Sequence, residues 1–386
     1  FVTVGREVVK QDYELLILIN PPGELLEITE QGNPRSYLSR AANMTKESLI
    51  QPYGIAADNN FYMTNHQDLI FVPEVELKDN QRMAEENPVR VEVERAVAKV
   101  VVSGVPEVVP HGDRIDNLKW GLDVTNQYTY WMRKMTFIAN SGGVPGEMEQ
   151  LNSGYREERY AEDPNFTGFS AWNGGNPAGQ FEYLSGTPEL TKDFDDYDYT
   201  LENTMEAVEQ RHDVTTRVVI SGTYTPNGFG SVATRNSGGI SFYYFKGNAI
   251  RVEAMRDMVN DRNLIPQELR DAGLEQAIND VLAWNPNAFN SPTASFSVGG
   301  LNFYYEGVCY YTVLIRHFSN NMVPVLMGYG RYGVVRNNVY QLSINKIIGP
   351  GQPVINPPGT DPDDEDTSWI SADVNIMRWY IRNQNV

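Results

Sequence analysis

Four patterns in this sequence contain residue types that catalysis or metal binding needs. Gly328, Gly330 and Gly333 match G-x-G-x-x-G, the fingerprint of a loop that holds dinucleotide phosphates. That fingerprint works only between a strand and a helix, because the helix N-terminus faces the phosphates. The β-branched pair Val334 and Val335 follows the last glycine and predicts a strand instead. We therefore expect no nucleotide site here.

Two possible nucleophiles lie in strand-like patterns. Ser343 and Lys346 match S-x-x-K, in which a lysine activates a serine, but alternation along a strand places them on opposite faces. Cys309 and His317 share one predicted strand, and at about 3.3 Å per residue they are too far apart for a catalytic dyad. We expect Cys309, the single cysteine, to be a small buried apolar residue.

An acidic cluster is the remaining candidate site. Its carboxylates could bind calcium, because oxygen ligands suit hard cations, but the spacing is not that of an EF-hand. A solvated, self-repelling loop is the favoured interpretation, and cation binding stays open. The cluster consists of Asp193, Asp195, Asp196 and Asp198.

No further chemistry is indicated by residue type and spacing. The four histidines show no metal-ligand spacing, and a glycosidase-like carboxylate pair cannot be picked out among 50 acidic residues. We therefore predict no catalytic residues, no cofactor and no metal site, and a protein that is not an enzyme.

Composition limits the partners. The chain has 386 residues, of which 31 are basic and 50 acidic, so the net charge is -19. Neutralising phosphates needs a basic surface, so nucleic acids and anionic membranes are disfavoured. A hydrophobic fraction of 41% is enough to build cores, and no apolar run approaches the roughly 18 residues of a membrane-spanning helix. The first residue is Phe1 rather than methionine, which indicates a processed product.

Most elements are predicted to be strands. Apolar residues alternate with polar ones in short runs between glycines and prolines, as expected of an all-β chain. The clearest runs are 15–19, 89–103, 214–224, 242–245, 301–305, 308–317 and 340–347.

Helical periodicity interrupts the strands in the second half. An amphipathic helix that ends before Pro286 is predicted, preceded by a weaker helical stripe. The helix is predicted from the spacing of Leu274, Ala277, Ile278, Val281 and Leu282, and the weaker stripe from that of Ile250, Ala254 and Met258. The fold class is therefore mainly β, with a small helical insertion.

The C-terminal end differs in composition from the rest. Residues 349–366 are rich in proline and aspartate, so we expect an extended, semi-rigid spacer that packs no core. Together with a boundary near residue 200, after the acidic stretch, this predicts three units: 1–200, 201–348 with the helical insertion, and 349–386. The spacer prolines are Pro350, Pro353, Pro357, Pro358 and Pro362.

A strand is predicted beyond the spacer. Apolar residues alternate from Ile370 to Ile376 and then shift phase to Met377, Trp379 and Ile381. Because such a shift reverses the faces, the two halves should dock on different surfaces or be joined by a bulge. The sequence leaves two arrangements open: the strand completes its own domain, or it pairs with the next molecule by strand addition.

The C-terminal region resembles the Bacteroidales fimbrillins, or type V pilins, and is most similar to the Mfa-type shaft subunits of short fimbriae. The resemblance rests on the pattern from Arg331 to Ile347, the proline-rich linker and Trp379. Further similar stretches are 94–100, 118–120, 126–131, 201–205 and 215–218.

This resemblance implies a fold and an assembly. It implies two transthyretin-like β-sandwich domains, 1–200 and 201–348, in a shaft subunit exported as a lipoprotein precursor to the outer-membrane surface. Proteolysis would remove a first strand, and a neighbour's C-terminal donor strand would fill the groove, giving a fimbria used in adhesion and biofilm formation. The implied donor residues are Ile370, Ala372, Val374, Ile376, Met377, Trp379, Tyr380 and Ile381.

The resemblance also implies the partners. These are copies of the chain, anchor and tip accessory subunits, and host or bacterial surface receptors. The alternative is a monomeric surface adhesin or glycan-binding module whose C-terminal strand folds back on its own domain.

Overall fold

The protein is mainly β-sheet, as predicted. A computed structural model describes residues 9–23, 25, 41–52, 54–57, 60–66, 69–134, 161–166, 175–205, 209–230, 239–317, 331–363 and 370–379. The strands of this part of the chain are β1 (Tyr13–Leu15), β2 (Leu18–Ile19), β3 (Ala41–Asn43), β4 (Met63–Asn65), β5 (Ile70–Val72), β6 (Val93–Arg95), β7 (Ala98–Ser103), β8 (Glu107–Val109), β9 (Arg114–Asp123), β10 (Thr125–Asn126), β11 (Tyr128–Tyr130), β12 (Phe181–Glu182), β13 (Tyr197–Thr200), β14 (Arg217–Thr225), β15 (Phe242–Phe245), β16 (Asn248–Arg251), β17 (Phe296–Val298), β18 (Leu301–Tyr304), β19 (Val308–Leu314), β20 (Asn338–Ile348) and β21 (Ile370–Arg378). The α-helices are α1 (Gln81–Glu86), α2 (Val252–Asn260), α3 (Gln267–Asp271) and α4 (Leu274–Trp284).

Two sheets form a sandwich around the main core. One sheet has the order β13-β7-β20-β21, with β8 also paired to β20, and the other has the order β19-β14-β9. Strand β20 is parallel to β7 and β8 and antiparallel to β21. Trp120, Ile220 and Leu342 from the two sheets meet in the core. Tyr340, Leu342 and Ile344 are all buried, which confirms the inward face predicted for β20.

Strand pairing crosses the boundary predicted near residue 200. Strands β7, β9 and β13 precede that position, yet β7 pairs with β20 and β9 pairs with β14. The sandwich is therefore larger than the predicted unit 201–348, because alternation locates strands but does not specify their partners. Division of the chain into two domains stays a prediction.

The helical insertion packs on a separate sheet with the order β16-β15-β18-β17. Helix α4 starts after Gly273, which has a φ of 93°, and ends before Pro286, as its periodicity predicted. Its stripe is buried with Phe303 and Phe245 of the sheet. The weaker stripe is only partly helical, because Ile250 lies in β16 and α2 begins at Val252. Among the described residues, no helix has both the length and the apolar character needed to cross a bilayer.

Strands β1 to β6 and β11 form an N-terminal lobe of small sheets, β1-β5, β2-β4-β6 and β3-β11. Tyr62, Trp131 and Leu201 lie in its core. The predicted buried strand 15–19 is wrong in detail. It is divided between β1 and β2, and its side chains are only half-buried.

A buried ionic cluster joins the lobe to the sandwich. Arg133 Nε lies 3.0 Å from Glu94 Oε1, and its Nη2 lies 3.5 Å from Glu202 Oε1. Arg336 Nε lies 2.9 Å from the second carboxylate oxygen of Glu202. The four side chains are 1–4% exposed. Each charge thus has a buried partner of opposite sign, as low-dielectric surroundings require.

Candidate functional site

Cys309 and His317 contact different residues: the Cys309 thiol lies 3.5 Å from the Gly222 carbonyl and from the Tyr311 hydroxyl. The predicted burial of Cys309 is confirmed, and burial raises the pKa of its thiol to about 12. A thiol with that pKa is protonated at neutral pH and is a poor nucleophile. His317 contacts the Tyr340 hydroxyl through Nδ1 at 2.7 Å.

The two other motifs take part in strand pairing. Ser343 lies opposite Asp373, and Lys346 lies opposite Ser371, in the ladder between β20 and β21. A register shift between Ile344 and Lys346 interrupts the alternation of side chains along β20. The prediction that Ser343 and Lys346 lie on opposite faces depended on that alternation. Gly328 and Gly330 of the glycine motif lie outside the described residues.

Extended backbone follows the glycine motif. Tyr332 and Val334 form isolated β-bridges with Arg316 and Asn203. The helix that a dinucleotide loop requires is thus replaced by strand-like pairing at this position, as the β-branched residues predicted.

The carboxylates of the acidic cluster have different hydrogen-bond and ion-pair partners. Asp193 accepts a hydrogen bond from Lys119 Nζ at 2.6 Å, and Asp196 accepts one from the Asp193 backbone N–H at 2.9 Å. Asp198 is buried and pairs with Lys46 at 2.8 Å, so it does not belong to a solvated loop. In the part of the chain that the structure describes, no group of three or more His, Cys, Asp or Glu side chains could hold a metal ion.

The predicted spacer lies against the sandwich, and we call its described part, residues 349–363, the strap. Gln352 exchanges two 2.8 Å backbone hydrogen bonds with Tyr310 of β19, and Ile355 exchanges two with Gly186. Ile355 is 2% exposed and packs against Leu190 and Val219. The expectation that this segment packs no core is therefore wrong. Prolines lack an N–H, but the residues between them keep theirs and pair with a sheet edge.

The strap prolines differ in exposure. Two of them lie in the buried part of the strap, and the other three are exposed or half-buried. The buried pair is Pro350 and Pro353, and the others are Pro357, Pro358 and Pro362.

A buried carboxylate fixes the C-terminal end of the strap. The Asp363 backbone N–H donates to the Gln210 carbonyl at 3.1 Å, and its carboxylate accepts a hydrogen bond from the Thr215 hydroxyl. His212 N–H donates to the Asp361 carbonyl at 3.1 Å. Because Asp363 has no exposed surface, the strap ends at a defined point on the sandwich.

Strand β21 is the last strand of the four-strand order and pairs along its length with β20. The ladder runs from Ile370 opposite Ile347 to Arg378 opposite Asn338. Ile370 is buried, and the apolar side chains that alternate after it pack against the sandwich core, whereas the intervening polar ones are exposed. The predicted strand and its alternation are confirmed. The inward set is Ala372, Val374 and Ile376, and the outward set is Ser371, Asp373 and Asn375.

Trp379 leaves the sandwich core and enters a pocket that we call the Trp379 pocket, formed by Phe61, Arg95, Tyr199 and Asn337. Its ring stacks on Tyr199 with centroids 5.8 Å apart and meets Phe61 edge-on at 4.8 Å. The Arg95 guanidinium lies 4.3 Å from the ring centroid and donates to the Trp379 carbonyl at 2.8 Å. The Trp379 N–H donates to the Asn337 carbonyl at 3.0 Å.

The phase shift predicted after Ile376 is visible in these contacts. Trp379 packs with the core of the N-terminal lobe, whereas Ile376 packs with the sandwich core, so the two halves contact different surfaces. Met377, which belongs to the implied donor set, is 44% exposed in this structure, and its donor role stays a prediction. Tyr380 and Ile381 lie outside the described residues.

The residues that receive β21 were not identified from the sequence. Partial burial removes water from the Arg95 guanidinium and thereby lowers its pKa. The same removal of water strengthens the attraction between this cation and the Trp379 ring. A signal existed in the alternation of residues 94–100, but a single strand pattern does not reveal what packs on it.

In this structure β21 pairs with its own chain. That arrangement is the fold-back alternative left open by the sequence, and donation to a neighbour stays a prediction. The site that these residues define is a strand-binding groove bounded by β20 and the Trp379 pocket. The fold and this groove define a β-sandwich protein whose last described strand, β21, lies at a sheet edge and pairs with β20.

Comparison with known proteins gives one match to a family model, over part of the chain. Residues 302–385 match the model of the family described as major fimbrial subunit protein type IV, fimbrillin, C-terminal. This match confirms the resemblance of the C-terminal region to the fimbrillins. Among curated proteins, no sequence matches the chain.

Several solved structures are similar over most of their length. A fimbrilin from Porphyromonas gingivalis W83 is 15% identical, with a TM-score of 0.45 over 96% of this chain and 80% of that one. A putative cell adhesion protein from Parabacteroides distasonis is 13% identical, with a TM-score of 0.43 over 98% and 78%. The C-terminally truncated tip fimbrial protein Mfa3 from Porphyromonas gingivalis is 12% identical, with a TM-score of 0.34 over 94% and 79%. The match to the fimbrillin family model covers residues 302–385.

Proposed function

We propose that this chain is a non-enzymatic shaft subunit of a cell-surface fimbria and that it polymerises by donating its C-terminal strand to the next copy. The observation that carries the proposal is that the fimbrillin-matching segment contains a nine-residue strand, β21, at a sheet edge. An edge strand of this length gives both backbone pairing and side-chain burial to whichever chain it joins.

The alternation of β21 supports a donor role. Val374 and Ile376 face a core, and burial of a large apolar side chain is worth roughly 1.5–3 kcal/mol. Several such side chains, together with the ladder to β20, would form a tight joint after the costs of ordering are subtracted.

The proposed partners and location follow from the fimbrial role. The chain would associate with its own copies in the shaft, with anchor and tip accessory subunits at the ends, and with host or bacterial surface receptors. It would be exported as a lipoprotein precursor to the outer-membrane surface, where removal of an N-terminal strand permits assembly. The fimbria would serve adhesion and biofilm formation.

A matched pair of charge substitutions tests the donor role. Ile376→Asp places a carboxylate on the face that packs against the core, whereas Asn375→Asp adds the same charge on the exposed face. In cells that assemble the fimbria, Ile376→Asp should abolish fibres seen by electron microscopy, and Asn375→Asp should keep them. Deletion of residues 370–386 should also give a folded subunit without fibres. Fibres formed by the deletion variant would refute donor-strand assembly.

One observation favours a second function, a monomeric adhesin or glycan-binding module. The pairing of β21 with β20 of the same chain closes the sandwich without a neighbour. A glycan-array signal from a protein that stays monomeric at high concentration would support that function over the fimbrial one.

A further inference from the structure

We propose that a cavity beside the helical insertion binds an acidic sugar, that is, a sugar unit that carries a carboxylate. The cavity has a volume of about 410 Å³ and lies between the first turns of α2, the loop after α4 and the segment that follows β14. A volume of this size lies within the range of small-molecule sites. Its lining residues differ from those of the groove that holds β21, so the inference does not depend on strand donation.

The lining combines carbon surface with hydroxyl groups. Phe303 of β18 contributes a buried ring, and Phe229 adds a half-buried one. Hydroxyl groups come from Ser241, just before β15, and from Ser291, in the loop after α4. Ser241 Oγ accepts a hydrogen bond from the Glu306 backbone N–H at 2.9 Å, which leaves its O–H as a donor. A sugar ring suits this lining because it has both C–H faces and hydroxyl groups.

The guanidinium of Arg251 is held in place at the cavity. One of its nitrogens, Nη2, donates to the Gly228 carbonyl at 2.5 Å, and the group lies 4.6 Å from the centroid of the Phe229 ring. The remaining N–H groups form a planar fork, whose geometry matches the two oxygens of a carboxylate. Because the group is already oriented, less side-chain freedom is lost when a ligand binds.

The positive charge of Arg256 lies near the inner side of the cavity. Tyr243 packs on Phe303 with ring centroids 4.7 Å apart, and its buried hydroxyl has no hydrogen-bond partner among the described residues. Burial raises the pKa of Tyr243, and the charge of Arg256 acts in the opposite direction. Since charge effects weaken with distance, the Arg256 guanidinium lies close to this buried hydroxyl.

Neither guanidinium is neutralised within the part of the chain that the structure describes. Arg270 of the same insertion pairs with Glu275 at 2.8 Å, whereas Arg251 and Arg256 form no ion pair with a described residue. Arg251 also gives α2 no side-chain cap, so the first N–H groups of this helix keep their partial positive charge. In a chain with a net charge of -19, two cations without partners at one cavity indicate an anionic ligand.

Glu253 distinguishes an acidic sugar from a simple anion. Its carboxylate belongs to the lining together with the two arginines. A carboxylate repels a bare anion, but it accepts hydrogen bonds from the hydroxyl groups of a sugar. The combined lining therefore suits a ligand that has a carboxylate at one position and hydroxyl groups at others.

Calorimetric titration of the whole chain with small glycosides tests the site. The acidic probes are methyl glucuronide and the methyl glycoside of N-acetylneuraminic acid. Methyl glucoside is the neutral control, and acetate is the control for a carboxylate without a sugar. We expect at least one acidic probe to bind at least about tenfold more tightly than both controls, because it alone combines charged and hydroxyl contacts.

Matched substitutions locate the binding. Arg251→Gln and Arg256→Gln should each weaken the acidic probe at least about tenfold, and Arg256→Lys should recover part of the loss because it keeps the charge. Both arginines are exposed, so we expect unchanged circular dichroism spectra. Arg82→Gln removes the same charge from an exposed helix outside the lining and should leave binding unchanged.

Three results would overturn the assignment. Absence of binding by both acidic probes would refute the site, and affinities equal to that of methyl glucoside or of acetate would refute the acidic sugar as its ligand. Unchanged affinity in Arg251→Gln and Arg256→Gln would place the ligand elsewhere. The titration uses the isolated subunit and not the fibre, so each of these results leaves the proposed fimbrial assembly intact.

Discussion

Substitution Glu202→Gln should destabilise the whole fold, because Glu202 links the lobe and the sandwich. Its carboxylate accepts hydrogen bonds from Arg336 Nε at 2.9 Å and from the Arg336 backbone N–H at 3.3 Å. It also lies 3.5 Å from Arg133. Glutamine has almost the same shape but no charge, so the substitution isolates the electrostatic contribution.

The magnitude follows from the charge balance of the cluster. Glu94 and Glu202 neutralise Arg133 and Arg336, and all four are almost completely buried. Glutamine leaves one buried positive charge without a partner, a change that costs about 3–5 kcal/mol in typical proteins. One hydrogen bond to the glutamine oxygen can persist, so we expect about 3 kcal/mol, a large part of a total stability of roughly 5–15 kcal/mol.

Urea unfolding followed by tryptophan fluorescence and far-ultraviolet circular dichroism measures this change. The control is Glu86→Gln, which breaks an exposed pair with Arg82 and should cost less than about 0.5 kcal/mol. The double variant Glu202→Gln/Arg336→Gln should be more stable than the sum of its single changes, because the cluster is neutral again. A loss below about 1 kcal/mol for Glu202→Gln would refute the assignment of the cluster as a buried, charge-balanced joint.

Three further predictions concern other buried groups. Burial raises the pKa of Asp163 to about 7, above its ordinary value. The protonated carboxyl therefore contributes stability that is fully present below about pH 4 and is lost as the pH rises toward 7. The free energies of unfolding of the wild type and Asp163→Asn, measured by urea titration, should converge or cross over that range, and a constant difference would contradict the raised pKa. The Cys309 thiol should react with a thiol reagent at pH 8 at least about 100-fold more slowly in the native protein than in urea, and equal rates would contradict its burial. Asp363→Ala leaves the Thr215 hydroxyl without its acceptor, so limited proteolysis should cut the strap faster than in the wild type while the sandwich stays intact; unchanged cutting would show that the strap is held elsewhere.

Local periodicity predicted several elements correctly. Helix α4 follows from the spacing of its apolar residues and from the proline after its end, because both act within one or two turns. The inward face of β20 follows from alternation, which is a property of neighbouring residues. The alternation of β21 and the phase shift before Trp379 were likewise readable without tertiary information.

Composition misled the prediction for the strap. Proline density predicts an extended chain, and Gln352 and Ile355 do form isolated β-bridges, but composition does not indicate which surface such a chain packs against. Gln352 pairs with Tyr310 at the edge of β19, and Ile355 is buried in the hydrophobic cluster that contains Leu190 and Val219. Neither feature has a signal within the proline-rich segment.

Local sequence pattern was enough to predict helix α4, the inward face of β20, and a strand of alternating apolar residues that is followed by an indole. The tertiary structure decided that this strand lies between β20 and solvent, that Arg95 and Tyr199 hold Trp379, and that the strap is tied down at Asp363. The physical reason is that dihedral preferences and amphipathic spacing act between near neighbours, whereas pairing and burial are settled by residues hundreds of positions apart that meet only once the sheets have formed.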